Sequence, residues 1–154
     1  MNFAKLLTPE AVKVLPSTTS KKRLLTELGE LAESAYDLTA STVVDALIAR
    51  EALGPTGVGH GVALPHARLD GVDEVTGLFV LLENPVDFGS VDRQPVDIAF
   101  ALFAPENAGV EHLKALALVS RTLRNGNVCT KLRANPSAST LYTILTETEV
   151  VQAA

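Results

Sequence analysis

Leu24, Leu28, Leu31 and Ala35 recur at the spacing of one helix face and predict an amphipathic helix over residues 19–36. Before it, Val12 and Val14 in TPEAVKVLP alternate as in a short strand. A second helix is expected over 40–53, with Thr39 as N-cap, Val43, Val44, Leu47 and Ile48 facing inward, and Gly54-Pro55 as its stop. The stretch GVGHGVALPHAR at 57–68 then reads as a glycine-rich turn followed by a short strand, Val62-Ala63-Leu64. Pro65, which has no N–H for a ladder bond, ends that strand or confines it to an edge, leaving His66 at a strand end.

Two apolar runs, 75–82 and 96–103, are rich in Val, Ile, Leu and Phe and are closed by Asn84-Pro85 and Pro105, so both are expected to be central strands. Between them NPVDFGSVDRQ reads as a loop, with room for a short edge strand at 86–88. Past Pro105 the pattern returns to helical, with Leu113, Leu116, Ser120 and Leu123 on one face, Arg121 and Arg124 in the last turn, and Asn125-Gly126 as the stop. A shorter helix at 128–134 and a final one at 138–148, capped by Ser137, complete the pattern. The helices come in pairs and the strands cluster mid-chain. This points to an α/β fold of α+β character, a mixed β-sheet with helices on both faces, rather than an alternating doubly wound sheet.

The 154 residues, 47% of them apolar, suffice for one core and are expected to form a single domain over 1–154. A net charge of −5 argues against nucleic acid or an anionic membrane as a partner. The densest basic run, Lys21-Lys22-Arg23, opens a helix and reads as its solvated first turn. There is no signal-peptide pattern and no spanning run of apolar residues, so the expected location is the cytoplasm. The lone Cys129 excludes an intrachain disulfide and reads as a small buried residue.

Candidate chemistry concentrates in the three histidines, His60, His66 and His112. Imidazole can ligate a metal, move a proton or accept a phosphoryl group. None of the usual metal-ligand spacings is present, and no GxSxG elbow offers a serine nucleophile, so neither a metal nor another cofactor is expected. Gly57, Gly59 and Gly61 can form a tight turn or offer bare N–H groups to an anion. No lysine follows as in a P-loop, and a strand follows where a dinucleotide fingerprint needs a helix.

From Glu51 to Ala67 the run EALGPTGVGHGVALPHA resembles, position by position, the signature of the type-2 enzyme IIA components of the bacterial phosphoenolpyruvate-dependent phosphotransferase system, the mannitol, fructose and nitrogen-regulatory group. The likeness extends through the opening LLTPEAV, the Arg50-Glu51 pair and EHLKALALVS around His112. It implies the three-layer fold of that family. It also implies that His66 accepts a phosphoryl group on Nε2 from the phosphohistidine of a small HPr-like carrier protein, with Arg50 and His112 beside it. The residues agree with that role. A nucleophilic imidazole needs a fixed tautomer with one bare nitrogen facing out, and transfer relies on positioning and nearby positive charge. One departure stands in the turn Gly59-His60-Gly61, a possible phosphate turn: the family pattern leads one to expect asparagine where this chain has His60. With no sugar-specific domain or membrane segment in the chain, the resemblance is strongest to a free-standing nitrogen-regulatory IIA protein that works as a phosphorylation-dependent regulator. The alternative is a fructose- or mannitol-type IIA that passes phosphate to a separate IIB protein.

Overall fold

The computed structural model of the chain describes residues 1–153. Its frame is a six-stranded mixed sheet. The strands are β1 (Val12–Leu15), β2 (Gly57–Gly59), β3 (Val62–Ala63), β4 (His66–Leu69), β5 (Thr76–Val86) and β6 (Val96–Pro105). Their order is β1-β5-β6-β3-β2, and β4 also pairs with β6, further along it than β3. β5 and β6 are antiparallel, whereas β1 on β5, and both β3 and β4 on β6, are parallel. Among the described residues six helices surround the sheet: α1 (Phe3–Leu6), α2 (Lys21–Tyr36), α3 (Ala40–Leu53), α4 (Val110–Leu123), α5 (Gly126–Arg133) and α6 (Ala138–Ala153). The short α1 and a 3-10 turn at Pro9–Ala11 lie outside the sequence-based expectation.

Every residue of β6 from Ile98 to Ala104 is fully buried, so both faces of the sheet are covered. α2 and α3 pack on each other as one pair, while α1, α4, α5 and α6 form a second group. All five phenylalanines, Phe3, Phe79, Phe88, Phe100 and Phe103, have no exposed surface. Phe100 meets both Phe3 and Phe79 edge-on, at centroid separations of 5.6 and 6.2 Å. Each ring contributes roughly 1.5–3 kcal/mol by leaving water.

The amphipathic reading of 19–36 is close to what forms. Ser20 caps α2 by accepting the Arg23 N–H at 3.0 Å, and Leu24, Leu28 and Leu31 are buried. At Gly29 a Cβ would lie 2.5 Å from Val44 Cγ2 and 2.8 Å from the Ala40 carbonyl, so glycine lets α3 approach α2 closely.

Several expectations are corrected. α3 buries Val43 and Leu47, but Val44 is only half-buried and Ile48 remains 43% exposed, so the inward stripe is narrower than expected. Asn84-Pro85 does not close β5, which continues to Val86 through an irregular register between Leu81 and Val86, where a proline costs no ladder bond. The face of α4 that packs inward carries His112, Ala115, Val119 and Leu123, and Leu113 is 66% exposed. Helical spacing alone does not reveal which of two adjacent stripes meets the sheet. Among the described residues no helix is long and apolar enough to cross a membrane.

Candidate functional site

Residues 62–69 run beside β6 as one strand cut in the middle. Val62-Ala63 pair with Ile98-Ala99, and His66–Leu69 pair with Leu102–Pro105. Pro65 therefore interrupts the strand and does not end it, and His66 opens the second half. Between the halves only the Pro65 carbonyl bonds to β6, accepting the Leu102 N–H at 3.0 Å. The Leu64 carbonyl turns instead to the His66 ring and accepts from Nδ1 at 2.8 Å. A carbonyl can only accept, so this bond places the proton of a neutral ring on Nδ1 and leaves the Nε2 lone pair free.

α3 ends against β4 and delivers Arg50. Its Nε points at His66 Nε2 across 3.4 Å, and its Nη1 donates to the Gly54 carbonyl at 2.9 Å. α4 delivers His112, whose ring meets that of His66 edge-on with centroids 5.7 Å apart. His112 is buried, and its Nε2 has no hydrogen-bond partner among the described residues. Burial, with the nearby charges of His66 and Arg68, pushes the His112 pKa down. It is therefore neutral at neutral pH, with one N–H to give. His66, Arg50 and His112 thus come together from three separate elements around a depression of about 460 Å³, walled by Ala46, Ala49 and Leu53.

The turn Gly59-His60-Gly61 is not brought to this place. Gly61 bonds at the level of Asp97 and Ile98, whereas His66 lies level with Leu102, about 13 Å further along β6 at ~3.3 Å per residue. The His60 N–H donates to Asp92 Oδ2 at 2.9 Å, and the His60 carbonyl is held by Arg133, itself paired with Asp97. These carboxylates are poor company for a phosphate. His60 and Gly61 have φ values of 57° and 79°, the two-positive-φ pattern of a tight hairpin linking β2 and β3. Asparagine and glycine suit such a turn, which accounts for the residue expected at His60 without any role at the acceptor.

Sequence reasoning missed Arg68, Lys21 and Thr56. Arg68 shares a β4 face with His66 and lines the same depression, and two-residue alternation from His66 is the signal that would have found it. Glu51 neither holds Arg50 nor faces water. It accepts from Lys21 and Thr56, with its side chain 6% exposed. No local pattern signals a contact 30 residues apart in sequence. A second depression of about 420 Å³ includes Asp73, Glu74 and Glu111 and no histidine, so its charge suits an anion poorly.

Over 145 residues the chain is 43% identical to a nitrogen regulatory protein of Bradyrhizobium diazoefficiens, covering 94% of this chain and 95% of that one. It is 36% identical over 104 residues to a fructose-specific EIIA component of Haloferax volcanii, covering 68% of each. The crystal structure of the nitrogen regulatory protein IIA-Ntr from Neisseria meningitidis superposes with a TM-score of 0.84 at 39% identity, covering 92% of this chain and 97% of that one. The family model for the phosphoenolpyruvate-dependent sugar phosphotransferase system, EIIA 2, matches residues 5–148, and the chain belongs to that family.

Proposed function

We propose that the chain is a histidine phosphocarrier in which His66 Nε2 accepts a phosphoryl group from the phosphohistidine of an HPr-like carrier protein in the cytoplasm. The observation that carries this reading is the bond from His66 Nδ1 to the Leu64 carbonyl, which leaves Nε2 unprotonated at the open side of the ring. The Nε2 lone pair attacks phosphorus, and the N–P bond of the donor breaks. The electron pair of that bond returns to the donor imidazole, and the proton on His66 Nδ1 stays where it is.

Arg50 and His112 fit the charge that develops. The guanidinium beside Nε2 needs only to turn from the ring nitrogen to a phosphoryl oxygen, while its Nη1 tether to Gly54 restrains it. The unpartnered Nε2 of His112 is a ready donor once that tautomer is populated.

The phosphoryl group adds about −1.5 to −2 charges at neutral pH, enough to change which surfaces bind here. Full-length similarity to nitrogen regulatory proteins supports a phosphorylation-dependent regulator, and the fructose-specific relative supports phosphate delivery to a IIB protein as the second reading. The test is incubation with phosphoenolpyruvate, enzyme I and the carrier, followed by mass spectrometry under alkaline conditions. Label is expected on His66 and lost in His66→Ala. Persistent label in that variant overturns the assignment. Capture of different proteins by the two phosphorylation states supports regulation, and rapid discharge to a purified IIB protein supports transport.

A further inference from the structure

Glu51 follows Arg50 in α3 but turns inward, where its carboxylate accepts from three donors. These are Lys21 Nζ at 2.8 Å, the Thr56 N–H at 3.2 Å, and the Thr56 hydroxyl through a short bond. Lys21, at the start of α2, is held in turn by the Phe88 carbonyl at 3.1 Å and lies 4.4 Å from the centroid of the buried Phe88 ring. A carboxylate in the last turn of a helix opposes the helix dipole, and burial removes its water. Local preference therefore disfavours an acid here, and the three donors offset that cost.

Thr56 is where two routes to the His66 ring meet. Along the first, the Thr56 carbonyl accepts the Leu64 N–H at 2.9 Å, and the Leu64 carbonyl holds His66 Nδ1. Along the second, the grip of Glu51 on Thr56 closes the segment 51–56. The Gly54 carbonyl in that closed segment tethers Arg50 Nη1 and aims Arg50 Nε at His66 Nε2. We propose that Glu51 is a positioning residue for phosphoryl transfer, setting through Thr56 both the bond that fixes the His66 tautomer and the tether that aims Arg50. The proposal rests on His66 being the acceptor. Glu51 itself does not touch the reacting atoms.

Thr56→Val removes the hydroxyl bond while nearly keeping the side-chain shape, and Glu51→Gln keeps shape while removing the charge. Thr56→Ser keeps the hydroxyl and serves as the conservative control. The full chain, labelled with ¹⁵N-histidine, is studied by multiple-bond ¹H–¹⁵N NMR, which reads the His66 tautomer without any phosphorylation. Single-turnover transfer from phosphorylated carrier is measured alongside, with thermal unfolding to confirm that each variant is folded.

In the parent chain the Nδ1–H form is expected to dominate. Thr56→Val and Glu51→Gln are expected to mix the tautomers and slow transfer at saturating carrier roughly tenfold to a hundredfold, with half-saturation unchanged. Thr56→Ser is expected to behave like the parent in both measurements. A His66 tautomer unmoved in both Thr56→Val and Glu51→Gln overturns the proposal whatever the transfer rate. If the parent chain takes up no phosphate, the acceptor reading fails, and the positioning of Arg50 for transfer fails with it. The tautomer measurement still decides whether Glu51 orders the ring.

Discussion

β6 runs ten residues as one strand, and from Ile98 to Ala104 nothing in it is exposed. The strand beside it, residues 62–69, is cut at Leu64-Pro65, and its second half opens with the half-buried His66 and carries the exposed Arg68. The unbroken strand spends its backbone groups on neighbours and supplies stability. In the cut one, Pro65 has no N–H to give and the Leu64 carbonyl goes to an imidazole. The proposed acceptor thus lies where the ladder fails, directly against the most deeply buried strand of the sheet. A side chain aimed from such a support needs little reorganisation to react.

The sharpest separation of the two regions is expected from His66→Ala. It should abolish phosphoryl uptake while thermal unfolding shifts little, because the side chain is not part of the core. A large loss of stability in calorimetry would show that the acceptor region bears load as β6 does. Phe100→Ala should do the reverse. Emptying that site, where three aromatic rings meet, is expected to cost about 3–5 kcal/mol in denaturant unfolding while folded protein still takes up phosphate.

Arg50→Lys keeps the charge but loses the planar fork that spans Gly54 and His66, and it should slow transfer roughly tenfold with stability unchanged. Equal single-turnover rates would reduce Arg50 to a cation at a helix end. Pro65→Ala probes the cut itself. It should lower stability by about 0.4–1 kcal/mol through a freer unfolded chain, with the His66 tautomer retained in NMR.

The smallest effect is one of pH. Burial first, then the charges of His66 and Arg68, holds the folded His112 pKa below its ordinary 6.5. The unfolded chain therefore binds the proton more readily. The stability associated with His112 is complete above pH 6.5 and is lost as pH falls from there toward the folded value. His112→Gln should flatten that part of a stability-versus-pH curve. A curve of unchanged slope would assign the loss to other groups.

The helices, the two central strands and the candidate histidine were legible because each depends on residues near one another in the chain. Leucine spacing marks α2, apolar runs mark β5 and β6, and the ALPHA run marks His66. Other features were illegible for an equally physical reason. Whether Pro65 ends a strand or merely interrupts it depends on β6 continuing past it, and β6 begins 31 residues later. The inward face of α4 is set one residue away from the stripe its leucines suggested, because packing on the sheet decides it.

By itself the sequence determined the candidate groups: a histidine after a proline at a strand end, an arginine at a helix end, and a glycine turn. Only the tertiary structure decided which of these meet. It brings Arg50 and His112 to His66, sends the glycine turn to Asp92 and Arg133, and turns Glu51 inward to Lys21 and Thr56. Backbone rules act over a few residues, whereas the partners of a charged or nucleophilic group are chosen by strand order and helix docking, which no local pattern encodes.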